Sequence, residues 1–394
     1  MQKKKILLVA RVDSVHTARW VQQINNQGWQ IFIYPSTVIE KPHPDLMGIS
    51  ILLSFPSRIR NFLSDLGLTF LAKLVERGRT YYEHSSPNYR LTRLKRAIAK
   101  IRPDMIHAME MQSAGYLTLD ASKSLNVRFP PWLMTIWGSD IFLFGRLQDH
   151  RHKIQEVLSK SNFFSCECAR DVELARKFGF EGVMLPELPV SGGFDLAALE
   201  PMRSKKTSSR QLIMLKGYQG WSGRALVGLH ALERCADLLS KYTIVIFSAS
   251  PEVTLAAELL TEKTGILIRI LSPHSSHQEI LELHGQARIS MGLGISDGIS
   301  VSLQEAMVMG SFPIQSCTAC ANEWIKNGVS GFIVPPEDPQ VIEAAIRKAL
   351  TDDTLVDDAS EINWEVALNR LDQAVLKQEA VDMYRKLLAH SAID

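Results

Sequence analysis

Long apolar runs are missing from this chain: nothing in its 394 residues approaches the stretch that spans a bilayer as a helix. A signal-peptide core is missing too. Lys3, Lys4 and Lys5 precede only about six apolar residues before Arg11, and that run reads as a buried first strand. Cysteine is scarce. Cys166, Cys168, Cys235, Cys317 and Cys320 make an odd number in a long chain, which reads as reduced thiols and a cytoplasmic protein. Strong charge of either sign is lacking, and a formal net of +2 argues against a nucleic-acid partner. There is no GxGxxG dinucleotide turn, and no Asp-any-Asp motif for a nucleotide-bound divalent metal. The cysteine pairs 166/168 and 317/320 suggest zinc, but they fall in opposite halves of the chain, so no metal is assigned.

What is present is a folded composition, 46% apolar and 22% charged, long enough for two domains. The chain starts twice. An apolar run at 6–10, helical spacing of Val15, Ala18, Val21 and Ile24, the stop at Gly28 and a second run at 31–33 make a βαβ unit. Strands are expected at 50–53, 104–108, 132–136 and 163–166. The rhythm restarts at 212–215, with a helix at 225–239 and strands at 243–247, 266–270, 289–291, 312–314 and 331–334. Between the two series, 201–210 has linker composition. The expected fold is α/β: two Rossmann-like lobes with parallel sheets, facing across a central cleft. The first lobe takes 1–203, the second 204–370, and a terminal helix at 371–394 crosses back to the first. Open sheets of this kind bind ligands beyond the carboxyl ends of their strands.

The first βα turn of the second lobe carries Gly217, Gly220 and Gly223, flanked by Lys216 and Arg224. Glycines before a helix N-terminus admit phosphate, and the two cations can neutralise a diphosphate. A tight turn with two solvated cations is the alternative. A second glycine loop, 292–300, leads through Gly298, Ile299 and the N-cap candidate Ser300 into a helix from Val301. Asp297 and Glu305 flank that helix start and suit hydroxyl groups rather than phosphate; taken singly, Asp297 reads instead as a turn residue and Glu305 as a solvated helix face. Together these features describe a nucleotide-sugar pocket.

The segment SDGISVSLQEAMVMGSFPIQSCTACANEWIKNGVSGFIVPPE at 296–337 resembles the donor-site signature of the retaining glycosyltransferases of family four, with the GT-B fold. Glu305, Ala306, Met307, Gly310 and Pro313 carry its EAM-x-x-G…Pro pattern, and Glu323 and Gly328 fall where the family places them. Asp297 stands where the family usually has its first glutamate. The resemblance runs along nearly the whole chain and weakens over 41–103. It implies that Asp297 contacts sugar hydroxyls, Glu305 the ribose, and Lys216 and Arg224 the donor phosphates. It implies transfer with retention from a donor that is UDP-linked, in polysaccharide or glycoconjugate assembly, without a metal or other cofactor. It implies an acceptor that is a glycan or a lipid-linked carbohydrate.

On the first lobe, Gly138, Ser139 and Asp140 match the family's HGSD-type stretch, with Trp137 in place of the histidine. His16, His107 and Glu110 are the acceptor-side candidates to supply its role; a buried strand histidine is the alternative for His107, and a helix cap for Asp140. Between Arg58 and Arg102 stand eleven Lys or Arg and three Asp or Glu, a local net of +8. Two apolar stripes keep helical spacing there: Ile59, Phe62, Leu63, Leu66 and Phe70, then Leu91, Leu94, Ile98 and Ile101. Either 58–102 docks on an anionic membrane, placing the enzyme peripherally at the inner face, or the stripes are core and the cations solvated. Two rivals from other classes remain: a catalytically silent nucleotide-sugar-binding or membrane-scaffold protein, and a nicotinamide-dependent oxidoreductase.

Overall fold

The computed structural model describes residues 3–86, 88–125, 128–203 and 205–390. Ser204, at the expected lobe boundary, and 391–394, at the end of the expected terminal helix, lie outside the described residues. The chain forms two compact units. One holds the described residues up to Gly192 and those from Lys377 onward; the other is Gly193–Leu376.

In the first unit, β1 (Lys5–Ala10), β2 (Gln30–Pro35), β3 (Ser50–Ile51), β4 (Met105–Met109), β5 (Trp132–Thr135), β6 (Phe163–Ser165) and β7 (Val183–Met184) form one parallel sheet in the order β3-β2-β1-β4-β5-β6-β7. Ile6 to Ala10 are fully buried, as a strand covered on both faces requires. The connecting helix Val15–Ile24 starts at Ser14, whose side chain accepts from the His16 amide at 3.2 Å. The order reverses between β1 and β4, so the loops after those strands lie side by side at the sheet's carboxyl edge.

The second unit repeats the plan. β8 (Leu212–Lys216), β9 (Thr243–Phe247), β10 (Leu267–Ile270), β11 (Ala287–Gly292), β12 (Phe312–Ser316) and β13 (Phe332–Val334) form a parallel sheet in the order β10-β9-β8-β11-β12-β13, with its switch point between β8 and β11. Both Rossmann-like sheets are those expected, and each has its own buried apolar core. The helix expected at 225–239 stops at Arg234, and a 3-10 turn, Ala236–Leu238, carries the chain on.

Three sequence expectations need correction. First, the polar run 201–210 is no open linker. It is folded into the second unit, where Thr207 Oγ1 donates to the Gly310 carbonyl at 2.6 Å and the buried Arg210 guanidinium donates to the carbonyls of Ala287 and Met309. Polar side chains that bond backbone carbonyls can be buried, and composition alone does not distinguish them from solvated ones.

Second, the two stripes of 58–102 have different fates. In the helix Tyr89–Ile101, Leu94, Ile98 and Ile101 are buried in the core. In the helices Phe55–Asp65 and Thr69–Ser85 and the turn between them, Phe62, Phe70 and Leu66 are exposed. Third, the cations of this region do not make one solvated face. Arg93 donates to the buried Glu40 at 2.7 Å and to the Leu52 carbonyl, and packs on the Tyr34 and Tyr89 rings. Arg79 is buried between Glu76 and Glu83, while Arg60 and Arg90 donate to the Glu40 and Ser36 carbonyls. No helix among the described residues is long and apolar enough to cross a membrane.

Candidate active site

In the second unit the two glycine loops follow the two strands of the switch point, and they are zipped to each other. Gly223 bridges Gly294, the Arg224 amide donates to the Leu293 carbonyl at 3.0 Å, and the Ile295 amide to the Ser222 carbonyl at 2.8 Å. Gly223 is required by this turn, because a Cβ there would overlap the Tyr218 carbonyl. Gly220 has φ +89°, which favours glycine. Gly223→Ala is therefore expected to lower stability by about 1–3 kcal/mol. A thermal melt checks this, and an unchanged melting temperature would contradict the zipped turn.

Lys216 ends β8 and reaches across the switch point. Its Nζ lies 3.4 Å from Ser300 Oγ and 3.9 Å from Asp297 Oδ2, over the Tyr218 ring. Ser300 is the N-cap of the helix Val301–Met309, but its hydroxyl makes no capping bond; it faces Lys216 and Ser302 Oγ instead. The first amides of that helix thus have no side-chain cap, and a helix N-terminus in this state carries positive partial charge. Gly298, Ile299 and Ser300 lead into it, and Gly298 donates its amide to Asp297 Oδ1 at 3.0 Å.

Arg224 does not join Lys216. Its guanidinium is held by Glu337 at 2.8 Å and by the Gly220 and Gly223 carbonyls, so it ties its own loop down. Of the expected pair of phosphate cations, Lys216 contacts Ser300 and Arg224 faces Glu337.

Glu305 is buried on the helix Val301–Met309 and is not the open acceptor the sequence suggests. His277 Nε2 donates to Oε1 at 2.8 Å, and His284 Nε2 lies 3.5 Å from Oε2, a contact too long for a full hydrogen bond. His284 is in turn held by Ser290 Oγ at 2.8 Å through Nδ1. Burial pushes the Glu305 carboxyl up; the His277 hydrogen bond and the adjacent His284 outweigh it and bring it down to about 2. The two histidines sit seven apart in the helix His277–Gln286, a spacing that puts them on one face and that sequence reading passed over. An open cavity of about 490 Å³ lies beyond β10, lined by Arg269, Ser272, His274 and Glu279 among others, two strands along from the switch point.

In the first unit, the carboxyl edge brings together His16, Glu110 and the 137–140 stretch, and leaves out His107. The His107 side chain is fully buried in β4, bonded to Tyr384 Oη and, at 2.8 Å, to Thr135 Oγ1, and burial lowers its pKa to about 3. It is a neutral core histidine, because its position in the strand points it between layers rather than beyond the edge. His16 packs on Trp137, ring centroids 5.4 Å apart, at the very position where the sequence departs from the HGSD-type stretch. Glu110 leaves β4 with φ +81°, strained for a side chain of its size, and accepts from the Ser113 amide at 3.0 Å. Asp140 does not simply cap its own helix. Its buried carboxylate accepts from Met111 N at 2.6 Å and Trp137 N at 2.8 Å, clipping the loops after β4 and β5 together. Burial and the Glu110 charge raise its pKa. Gly138, with φ +94°, and Ser139 turn the chain into that clip.

Residues 5–166 match a family model described as glycosyl transferase 4-like, and residues 229–364 one described as glycosyl transferases group 1. Similar solved structures include a sucrose-phosphate synthase from Thermosynechococcus elongatus (12% identity, TM-score 0.71, covering 98% of this chain and 100% of that one). An alpha,alpha-trehalose 6-phosphate synthase from Burkholderia multivorans is similar too (13%, 0.71, 100% and 98%). So is the Anabaena protein HepE in complex with UDP-glucose (12%, 0.68, 97% and 99%). At these identities the likeness bears on the fold. No curated protein matches. Together the two models cover most of the chain, one on each unit, and the chain belongs to the glycosyltransferases they describe, with the GT-B fold.

Proposed function

We propose that this glycosyltransferase takes a hexosyl group from a UDP-linked donor and passes it, with retention, to a glycan or lipid-linked acceptor. One observation carries the reading: Lys216 Nζ sits at the uncapped start of the helix Val301–Met309, beside Ser300 and Asp297. A cation and a helix N-terminus aimed at one point form an anion site suited to a departing diphosphate. Asp297 accepts from sugar hydroxyls, and the lone pairs of Glu305 not used by its histidines accept from the ribose. The structure of HepE holding UDP-glucose supports the choice of donor.

In the step itself the bond from the anomeric carbon to the phosphate oxygen breaks as the acceptor oxygen attacks from the same face. The acceptor's proton passes to the departing phosphate, and the negative charge that develops falls on Lys216 and the helix amides. That route needs no histidine at Trp137. His16, packed against Trp137, and Glu110 are the groups assigned to orient an acceptor.

Protein groups alone meet the diphosphate charge in this scheme. Release of UDP from UDP-hexoses is therefore expected to persist in EDTA, and NMR of the product is expected to show the donor's anomeric configuration. Loss of activity in chelator with rescue by magnesium or manganese, or an inverted product, would contradict it.

A further inference from the structure

The helices Phe55–Asp65 and Thr69–Ser85 pack together as a hairpin of the first unit. Its turn is apolar and open to solvent. Leu66, Leu68, Phe70 and Leu71 lie within an uncharged stretch of the chain, and are 59%, 45%, 71% and 46% exposed. Phe62, at 63%, and Phe55, at 74%, continue the stripe back along the first helix at spacings of four and seven. Folded chains seldom leave a contiguous apolar surface of this kind in water without a partner for it.

The surrounding charge has one dominant sign. Arg58, Lys73 and Arg77 on the hairpin are exposed and without ion-pair partners among the described residues. Against them stands exposed Asp65, because Glu76 and Glu83 are engaged by Arg60 and Arg79. Two copies meeting through this face would bring like charges together. An anionic surface is attracted to it, and apolar side chains rimmed by cations are what an interfacial helix presents to lipid.

We propose that the tip of this hairpin inserts into the interfacial layer of an anionic bilayer, with Arg58, Lys73 and Arg77 on its headgroups. The docking does not depend on the donor assignment; it bears on the proposed function only by favouring an acceptor carried in the membrane.

The test is co-sedimentation of the full chain with vesicles of phosphatidylglycerol and phosphatidylcholine, and with phosphatidylcholine alone. The protein is expected to bind the anionic vesicles at low salt, to be released as salt rises, and to bind neutral vesicles poorly. Phe62→Ser with Phe70→Ser, both exposed positions, is expected to lower partitioning at least about tenfold. Arg58→Gln with Lys73→Gln and Arg77→Gln is expected to lower it about fivefold per charge near the surface. UDP titration of the same preparations reports separately on folding and on the donor site. Wild-type protein left in the supernatant at low salt, or serine variants that bind as well as wild type, would overturn the proposal. So would a dimer in solution that the serine variants disperse, since a second copy would then be what covers the face.

Discussion

Glu305→Gln is expected to fold less stably than wild type by about 3 kcal/mol at neutral pH. The carboxyl sits near 4.5 when solvated and is brought down to about 2 in the folded chain, where His277 and His284 outweigh its burial. Each unit of such a shift is worth about 1.4 kcal/mol. The sign fixes the pH dependence. A carboxyl whose folded pKa is lowered stabilises fully above its unfolded value, and that contribution drains away as pH falls from about 4.5 toward about 2. Glutamine keeps the shape and loses the charge, so wild type and variant are expected to converge in acid. Urea unfolding across that range measures the gap. A gap absent at neutral pH, or one that widens in acid, would contradict the clamp. UDP affinity is also expected to fall, because the carboxylate proposed to accept from the ribose is lost.

Lys216→Ala is expected to lower turnover about 100- to 1,000-fold, as the loss of one preorganised charge at a developing anion does elsewhere. Its melting temperature is expected to change little, since the Nζ contacts at 3.4 Å and 3.9 Å are long and contribute little to folding. Arg224→Ala separates the two basic residues. Its guanidinium holds Glu337 and loop carbonyls, so it is expected to loosen the loop and to affect turnover less. Equal losses of turnover in both variants would restore the paired role that the sequence suggests.

The periodicity of apolar residues carried most of the fold, because buried parallel strands and the helices between them repeat at separations visible in the chain. The edge strand Val183–Met184 was not visible in that way; two residues have no period. Nor could period separate the core stripe of Tyr89–Ile101 from the solvent-facing stripe of the preceding hairpin, since both helices space their apolar residues alike. Only packing distinguishes them.

At the site, local chemistry was legible and long-range pairing was not. Glycine loops, Ser300 at a helix start and Lys216 at a strand end follow from turn and cap chemistry over a few residues. The direction of Arg224 was set by Glu337, far along the chain, and the state of Glu305 by two histidines on an earlier helix. His107 read as a strand-end residue because the strand's last residues were uncertain by one or two positions, and that margin separates an edge side chain from a core one.

The switch point between β8 and β11 is where the diphosphate of a nucleotide sugar is proposed to bind. Titration calorimetry of UDP into the full chain, in the presence of chelator, tests it most directly, with Lys216→Ala titrated in parallel. Saturable UDP binding by wild type is expected, with an affinity loss of about ten- to a hundredfold in the variant, the worth of one charge-assisted contact. Absence of UDP binding by wild type, or undiminished binding by Lys216→Ala, would contradict it.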